Sequence, residues 1–287
     1  KPRFEAYLSD IGLVLGAIDH ALEHLNEWAS PTRITTPLAL QLAESTVYRE
    51  PLGVVLIVAP WDSPVLLLLS PLVGAVAAGN CAMLKPSGAV PHTTAVLSRI
   101  IGEVFDPGHV SLVQGPGAAV VPALMNAFRF DHVFFTGSAP VGRTILAAAA
   151  PQLVPVTLEL GGKSPAIVDR RGDVKVAARR IAWSKCFNAG QTCIATDHAL
   201  VHASVMDEFL EHYRRAIRKA YGEDPQRSPH FARLVNDRRF GVVKDYLTQG
   251  KLALGGAHDA AERYIAPAVL TDVSSDSPVM HEEIFGP

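Results

Sequence analysis

The chain has 287 residues, enough for one large domain or two ordinary ones. Apolar residues make up 48% and charged residues 19%, which excludes a disordered tail. A net charge of −2 gives no electrostatic pull toward nucleic acid or anionic lipid, and non-periodic Gly and Pro exclude collagen-like repeats.

Residues 4–29 carry helical spacing, with Leu8, Ile11, Leu15, Ile18, Leu22, Leu25 and Trp28 predicted on one apolar face. Residues 30–52 are rich in Thr and Pro and read as extended segments or a linker. From residue 53 strands and helices alternate. Strands are predicted at 53–60, 81–86, 109–115, 131–137 and 155–162, with helices at 93–105, 118–128 and 139–150 between them. The uncharged 18-residue run Ser63–Asn80 lies at the lower edge for a membrane span. Pro64 and Pro71 interrupt it and Asp62 precedes it, so a buried helix is expected and no membrane segment. Fully apolar strands with helical crossovers imply a parallel sheet covered on both faces, with ligands at the carboxyl ends of the strands.

A second βα region follows. The run 166–187 holds a strand and then a helix from about Val174, followed by a strand at 198–203 and a helix at 204–221 with Ser204 as its N-cap. A short helix near 236–248 and a strand at 264–270 close the chain, and no internal repeat is present. The fold class is therefore α/β. The expected domains are a helix and linker at 1–52, a Rossmann-like dinucleotide-binding domain at 53–160 and a second α/β domain, the catalytic one, at 161–287.

Three widely spaced cysteines, Cys81, Cys186 and Cys193, rule out a disulfide framework and point to a reducing, cytoplasmic compartment. No signal peptide is visible in Lys1–Asp10. His20 and His24 share a helix face at i, i+4, but with no third ligand nearby they read as a solvated or half-buried pair, and no metal is expected. Cys81 and Cys186 read as small buried hydrophobes. Cys193 ends the run Asn188–Cys193, NAGQTC, in which a Gly-containing turn can present a sulfur and a backbone N–H to one point. Attack on a carbonyl needs both, a thiolate and a donor for the oxyanion. Glu159, at the end of an apolar strand before two glycines, is either tied in a salt bridge or placed at a strand-end active site. In Phe134–Gly142 a strand ends, Gly137 turns, and a helix begins near Pro140 with Gly142 in its first turn. Its exposed N–H groups suit a phosphate, although an ordinary strand-to-helix turn has the same pattern.

Together, the runs PLGVVLIVAPW, AAGNCAMLKPS, FFTGS, PVTLELGGKSP, NAGQTC, RYIAPAVLTDV and EEIFGP resemble the aldehyde dehydrogenase superfamily, in family order and over residues 10–287. The spacing of 34 residues from Glu159 to Cys193 matches the family pattern. PVTLELGGKSP, RRIAW and YGEDPQRSP look most like the class-three branch, which acts on medium-chain, aromatic and fatty aldehydes. The resemblance implies that Cys193 is the nucleophile, forming a thiohemiacetal and then a thioester, and that Glu159 activates the hydrolytic water. It implies NAD or NADP as cofactor. Lys85 would bond the adenosine ribose, and Ser138 with the backbone after Gly137 would hold the pyrophosphate. Glu283 would bond the nicotinamide ribose and Phe285 pack beside the ring. Pro60 and Trp61 would line the cofactor or substrate pocket, and Gly142, Leu160 and Gly161 join the cofactor contacts. A small-molecule aldehyde is the implied substrate, with no nucleic acid, and a family-like homodimer is the implied assembly.

Two departures from the family pattern stand out. Asp62 replaces the usual Asn after the tryptophan, whose amide donates to the oxyanion; an ionised carboxylate cannot donate and repels the developing charge. A protonated Asp62 still donates. A slow enzyme is expected, and a catalytically impaired dinucleotide-binding relative or fragment is the alternative. A third reading, transfer of the thioester to coenzyme A, is weakened by the retained Glu159. The other departure is Gly88, where the family often has a Glu that repels a 2′-phosphate, so use of both NAD and NADP is expected. Relative to the family the chain is expected to begin inside the N-terminal helical region and to stop before the last part of the catalytic domain.

Overall fold

A computed structural model describes residues 1–287. The chain divides into two units, one of Leu8–Glu159 and one of Leu160–Pro287 together with Lys1–Tyr7.

The N-terminal segment is helical as expected, but not regular. α1 (Arg3–Ala6) runs through a π turn at Tyr7–Ile11 into α2 (Gly12–Ala29). The predicted apolar face is wrong. Leu8, Ile11, Leu15, Ile18, Leu22 and Trp28 are exposed, while Glu5, Asp10, Val14 and Ala21 are buried. The π turn changes the helix phase only between α1 and α2; the aliphatic stripe within α2 keeps its period and lies on the exposed side. Asp10 of the π turn reaches the start of the next helix, where its Oδ1 accepts from the N–H groups of Val65 and Leu66 at 3.2 and 3.3 Å. An acidic group at a helix N-terminus satisfies donors that the helix itself cannot. In the linker, β1 (Thr32–Ile34) and β2 (Ser45–Val47) pair antiparallel.

The first unit is built on β3 (Val54–Val58), β4 (Cys81–Lys85), β5 (Val110–Leu112), β6 (His132–Gly137) and β7 (Val156–Leu160). They form one sheet in the order β5-β4-β3-β6-β7, with β3 parallel to both β4 and β6. The connections are α3 (Leu66–Ala77), α4 (Pro91–Val104), α5 (Gly117–Ala127) and α6 (Ala139–Ala149). The continuous apolar strands have a simple cause. Val55 and Ile57 of β3 pack with Leu68 and Leu72 of α3 and Leu97 and Ile101 of α4. Leu56 and Val58 point the other way, onto Val121 and Met125 of α5 and Ile145 of α6. Alternate side chains of one strand thus feed two cores, each fully buried Leu or Ile contributing about 1.5–3 kcal/mol. α3 is only 12 residues long, and no helix is long and apolar enough to cross a membrane.

The amino end of the central strand is tied by side chains. Asn80 Oδ1 accepts from Gly53 N, and Asp131 Oδ2 from Val54 N, both at 2.9 Å.

The second unit has β8 (Pro165–Val168) parallel to β9 (His198–Val201), with α7 (Val174–Cys186) and α8 (Met206–Tyr221) packed against each other. Asp173 caps α7, accepting from Val176 N at 2.9 Å. Ser204 does not cap α8. A short 3-10 turn at Ala203–Val205 precedes that helix, and His202 Nδ1 accepts from Ser204 N instead. α9 (Asp237–Tyr246) is capped by Asn236. β10 (Lys251–Leu254), β11 (His258–Asp259), β12 (Tyr264–Ile265) and β13 (Val269–Thr271) form two antiparallel pairs, β10 with β13 and β11 with β12. The single strand expected at 264–270 is therefore two, broken at Pro267, whose missing N–H interrupts a ladder. α10 (Pro278–His281) ends just before EEIFGP.

Candidate active site

In the first unit, the sequence-predicted residues gather on the carboxyl edge of one sheet. Pro60, Trp61 and Asp62 follow β3, Lys85 ends β4, Gly137 ends β6 and Glu159 lies near the end of β7. Asp62 is buried. Lys85 is not the surface lysine that its type alone suggests: it is 2% exposed and its Nζ donates to the Pro86 carbonyl at 2.5 Å. Burial holds its pKa below the ordinary lysine value. Glu159 is exposed.

The chain runs outward from β3 to β4 and β5, then returns to the other side of β3 for β6 and β7. The strand order therefore reverses between β3 and β6, where open α/β sheets bind ligands. Ser138 occupies the N-cap position of α6 without a capping side-chain bond. Thr136 Oγ1, at the end of β6, is buried with no hydrogen-bond partner. The free first turn of the helix and an unused buried hydroxyl fit a phosphate group. Gly137 is required locally, since a Cβ there would sit 2.6 Å from Cζ of Phe135. Gly142 is buried in the first turn of α6, its N–H bonded to Ser138 O at 2.9 Å.

In the second unit, α7 ends at Cys186 and the chain enters three successive left-handed residues, Asn188 (φ 50°), Ala189 (φ 53°) and Gly190 (φ 72°). A Cβ on Gly190 would collide with the Gly286 carbonyl, so this step requires glycine. Asn188 Nδ2 donates to Gln191 O at 2.8 Å and Gln191 Nε2 returns a bond to Asn188 O at 2.9 Å. Gln191 also donates to Arg233 O and accepts from Val235 N. This buried clamp leads to Cys193, which is half-buried. Cys186 is buried, and desolvation pushes its thiol up to about 12.

The EEIFGP segment lies against the same loop through Gly286 and Gly190. Glu283 packs on Gly161, its carboxylate occupying the space that a Cβ there would take. Leu160 is exposed at the end of β7. Arg239 of α9 donates to the carbonyls of Glu283, Ile284 and Phe285, and its guanidinium lies 6.0 Å from the Phe285 ring. Lys163 forms an ion pair with Asp197, which also accepts from Ile284 N at 2.8 Å.

Arg239, Asp197, Gln191 and Glu5 escaped the sequence reading. Their signal is weak, because each is a common polar residue whose role appears only when a distant segment meets it. Gln191 alone carried a hint, since it sits inside the motif next to Cys193. Glu23 also escaped: it completes a group with His20 and His24 whose ligand atoms lie within 4.8 Å of one another, so a third ligand type is present beside that pair. The group is largely exposed, and His24 Nδ1 is 2.9 Å from His20 O.

The family model for the aldehyde dehydrogenase family matches residues 1–287, and the chain belongs to that family. It is 42% identical over 287 residues to "Aldehyde dehydrogenase family 3 comG" of Dictyostelium discoideum, covering all of this chain and 61% of that protein. It is likewise 42% identical over 287 residues to the rat "Aldehyde dehydrogenase, dimeric NADP-preferring", covering all of this chain and 63% of that protein. The structure titled "Substrate bound state of Staphylococcus Aureus AldH" superposes with a TM-score of 0.96 at 43% identity, over 100% of this chain and 63% of that one. The chain thus spans about three-fifths of the length of the curated relatives it matches.

Proposed function

We propose that the protein oxidises an aldehyde to a carboxylic acid with NAD or NADP as cofactor, through a thioester on Cys193. The observation that carries this reading is the loop Asn188–Cys193. Three consecutive left-handed residues and the Asn188–Gln191 clamp fix the buried turn that leads into the half-buried Cys193. The Cys193 thiolate attacks the aldehyde carbon, and the oxygen gains the electron pair of the C=O bond. The Cys193 N–H donates to that oxyanion. A bound nicotinamide dinucleotide supplies the hydride acceptor. Glu159 then takes a proton from water, whose oxygen attacks the thioester carbon and releases the acid and the Cys193 thiolate.

Cofactor roles follow the strand ends. Ser138, Gly137 and Gly142 at the start of α6 hold the pyrophosphate, and Lys85 the adenosine ribose. Pro60, Trp61, Leu160 and Gly161 line the cofactor region, Glu283 bonds the second ribose and Phe285 packs by the ring. The unused Thr136 hydroxyl beside this turn supports the assignment. The name of the rat relative supports NADP as an accepted cofactor and a homodimer as the assembly. A second reading, a relative that binds dinucleotide but turns over slowly, is favoured by the buried Asp62 carboxyl.

The test is mass spectrometry of the full-length protein after incubation with an aromatic aldehyde and NAD or NADP, with reduced-cofactor absorbance followed in parallel. An acyl adduct on the Cys193 peptide together with reduced cofactor is the expected result. Turnover without any adduct, and unchanged by Cys193→Ala, overturns the mechanism.

A further inference from the structure

The loop that carries Cys193 is held from a residue 183 positions earlier in the chain. Glu5, in α1, is buried, and its Oε2 accepts the N–H of Asn188 at 3.1 Å. Asn188 is the first of the three left-handed residues. Its N–H lies just beyond the end of α7, in a buried turn where a backbone donor needs a partner. A carboxylate gives that donor a charge-assisted bond, stronger than a neutral acceptor would. The choice costs something: desolvation pushes the Glu5 carboxyl up to about 7, against the lowering effect of the Asn188 bond itself.

We propose that Glu5 is a positioning residue for the Cys193 thiol. Its carboxylate fixes the Asn188 N–H, Asn188 and Gln191 bind each other reciprocally, and Gln191 precedes the nucleophile by two positions. A shift at Asn188 is therefore passed to the sulfur through two side-chain bonds rather than absorbed by a slack loop. This role rests on the reading of Cys193 as the nucleophile.

The experiment uses the full-length protein with Glu5→Ala, Glu5→Gln and Glu5→Asp, and with Cys193→Ser as a separate control. Steady-state kinetics with benzaldehyde and NADP give kcat and both KM values. Iodoacetamide labelling, read on the Cys193 peptide, gives the reactivity of the sulfur without turnover. Glu5→Ala is expected to lower kcat about tenfold, the value of one lost hydrogen bond, and to leave the cofactor KM within about twofold. The Cys193 labelling rate should change with kcat. Glu5→Gln, which keeps an acceptor oxygen, should restore most of both. If Glu5→Ala is insoluble, Glu5→Asp serves, because its acceptor is one methylene too short. The proposal is overturned if Glu5→Ala, or Glu5→Asp in its place, leaves kcat and labelling at wild-type values. It is equally overturned if Gln is as damaging as Ala. Full turnover by Cys193→Ser instead removes the nucleophile reading itself, whatever the Glu5 variants do.

Discussion

Under the proposed function, Asp62 is the residue on which the rate turns. It stands, buried, directly after the central strand, where the family pattern has an amide donor. As a carboxylate it offers only acceptor oxygens to an oxygen that is gaining charge. One oxyanion-hole donor is typically worth roughly 10²- to 10³-fold in rate. Asp62→Asn is therefore expected to raise kcat for aldehyde oxidation by about 10²-fold, measured at saturating cofactor. An unchanged kcat with cofactor binding intact removes Asp62 from the oxyanion site. The motif made this position legible, because a single letter differs within an otherwise matching run. The roles of Arg239 and Asp197 were not legible, since both act on the backbone of EEIFGP from segments 44 and 87 residues away.

At the scale of elements, the turn after α7 concentrates the strain of the second unit. Ala189 sits at φ 53°, where a Cβ costs roughly 1–2 kcal/mol, and Gly190 follows at φ 72° against the Gly286 carbonyl. Gly190→Ala adds both the left-handed cost and a collision with backbone, which cannot step aside. Loss of most of the activity is expected, with the far-UV circular dichroism unchanged, because the helices on either side do not depend on this contact. Wild-type activity in Gly190→Ala contradicts the geometry of the loop. Sequence reading saw a turn here, yet three left-handed residues in a row lay beyond it, because only one of them is glycine. The N-terminal helix failed differently. Periodicity chose the large aliphatic stripe, whereas the residues that are buried are Glu5, Asp10, Val14 and Ala21. The alternation of β3 to β7 with their helices was readable because apolar runs of strand length, bounded by Gly and Pro, leave few other folds.

For the molecule as a whole, Glu5 sets a pH dependence. Its folded pKa of about 7 lies above the ordinary 4.5, so the folded chain binds more protons than the unfolded chain between those values. Stability contributed here is full below about pH 4.5 and declines as pH rises toward 7, by an amount on the order of 1–3 kcal/mol. The titratable groups buried near it do not share the window: burial raises Cys186 to about 12 and raises Tyr221 as well. Glu5→Gln should therefore melt progressively higher than wild type as pH rises from 5 to 8, with the two closest at pH 5. A difference in Tm that stays constant over this range refutes the linkage.

The two ends of the central strand carry different burdens. Asn80 and Asp131 stitch its entry from neighbouring loops, and every residue assigned to cofactor or chemistry in that unit lies at or just past the carboxyl end of a strand. Replacements at the stitched end are paid in folding, and replacements at the open end in turnover or ligand choice. A descendant of this chain is thus free to try new substrates by redrafting one rim of the sheet, while the opposite rim keeps the scaffold standing.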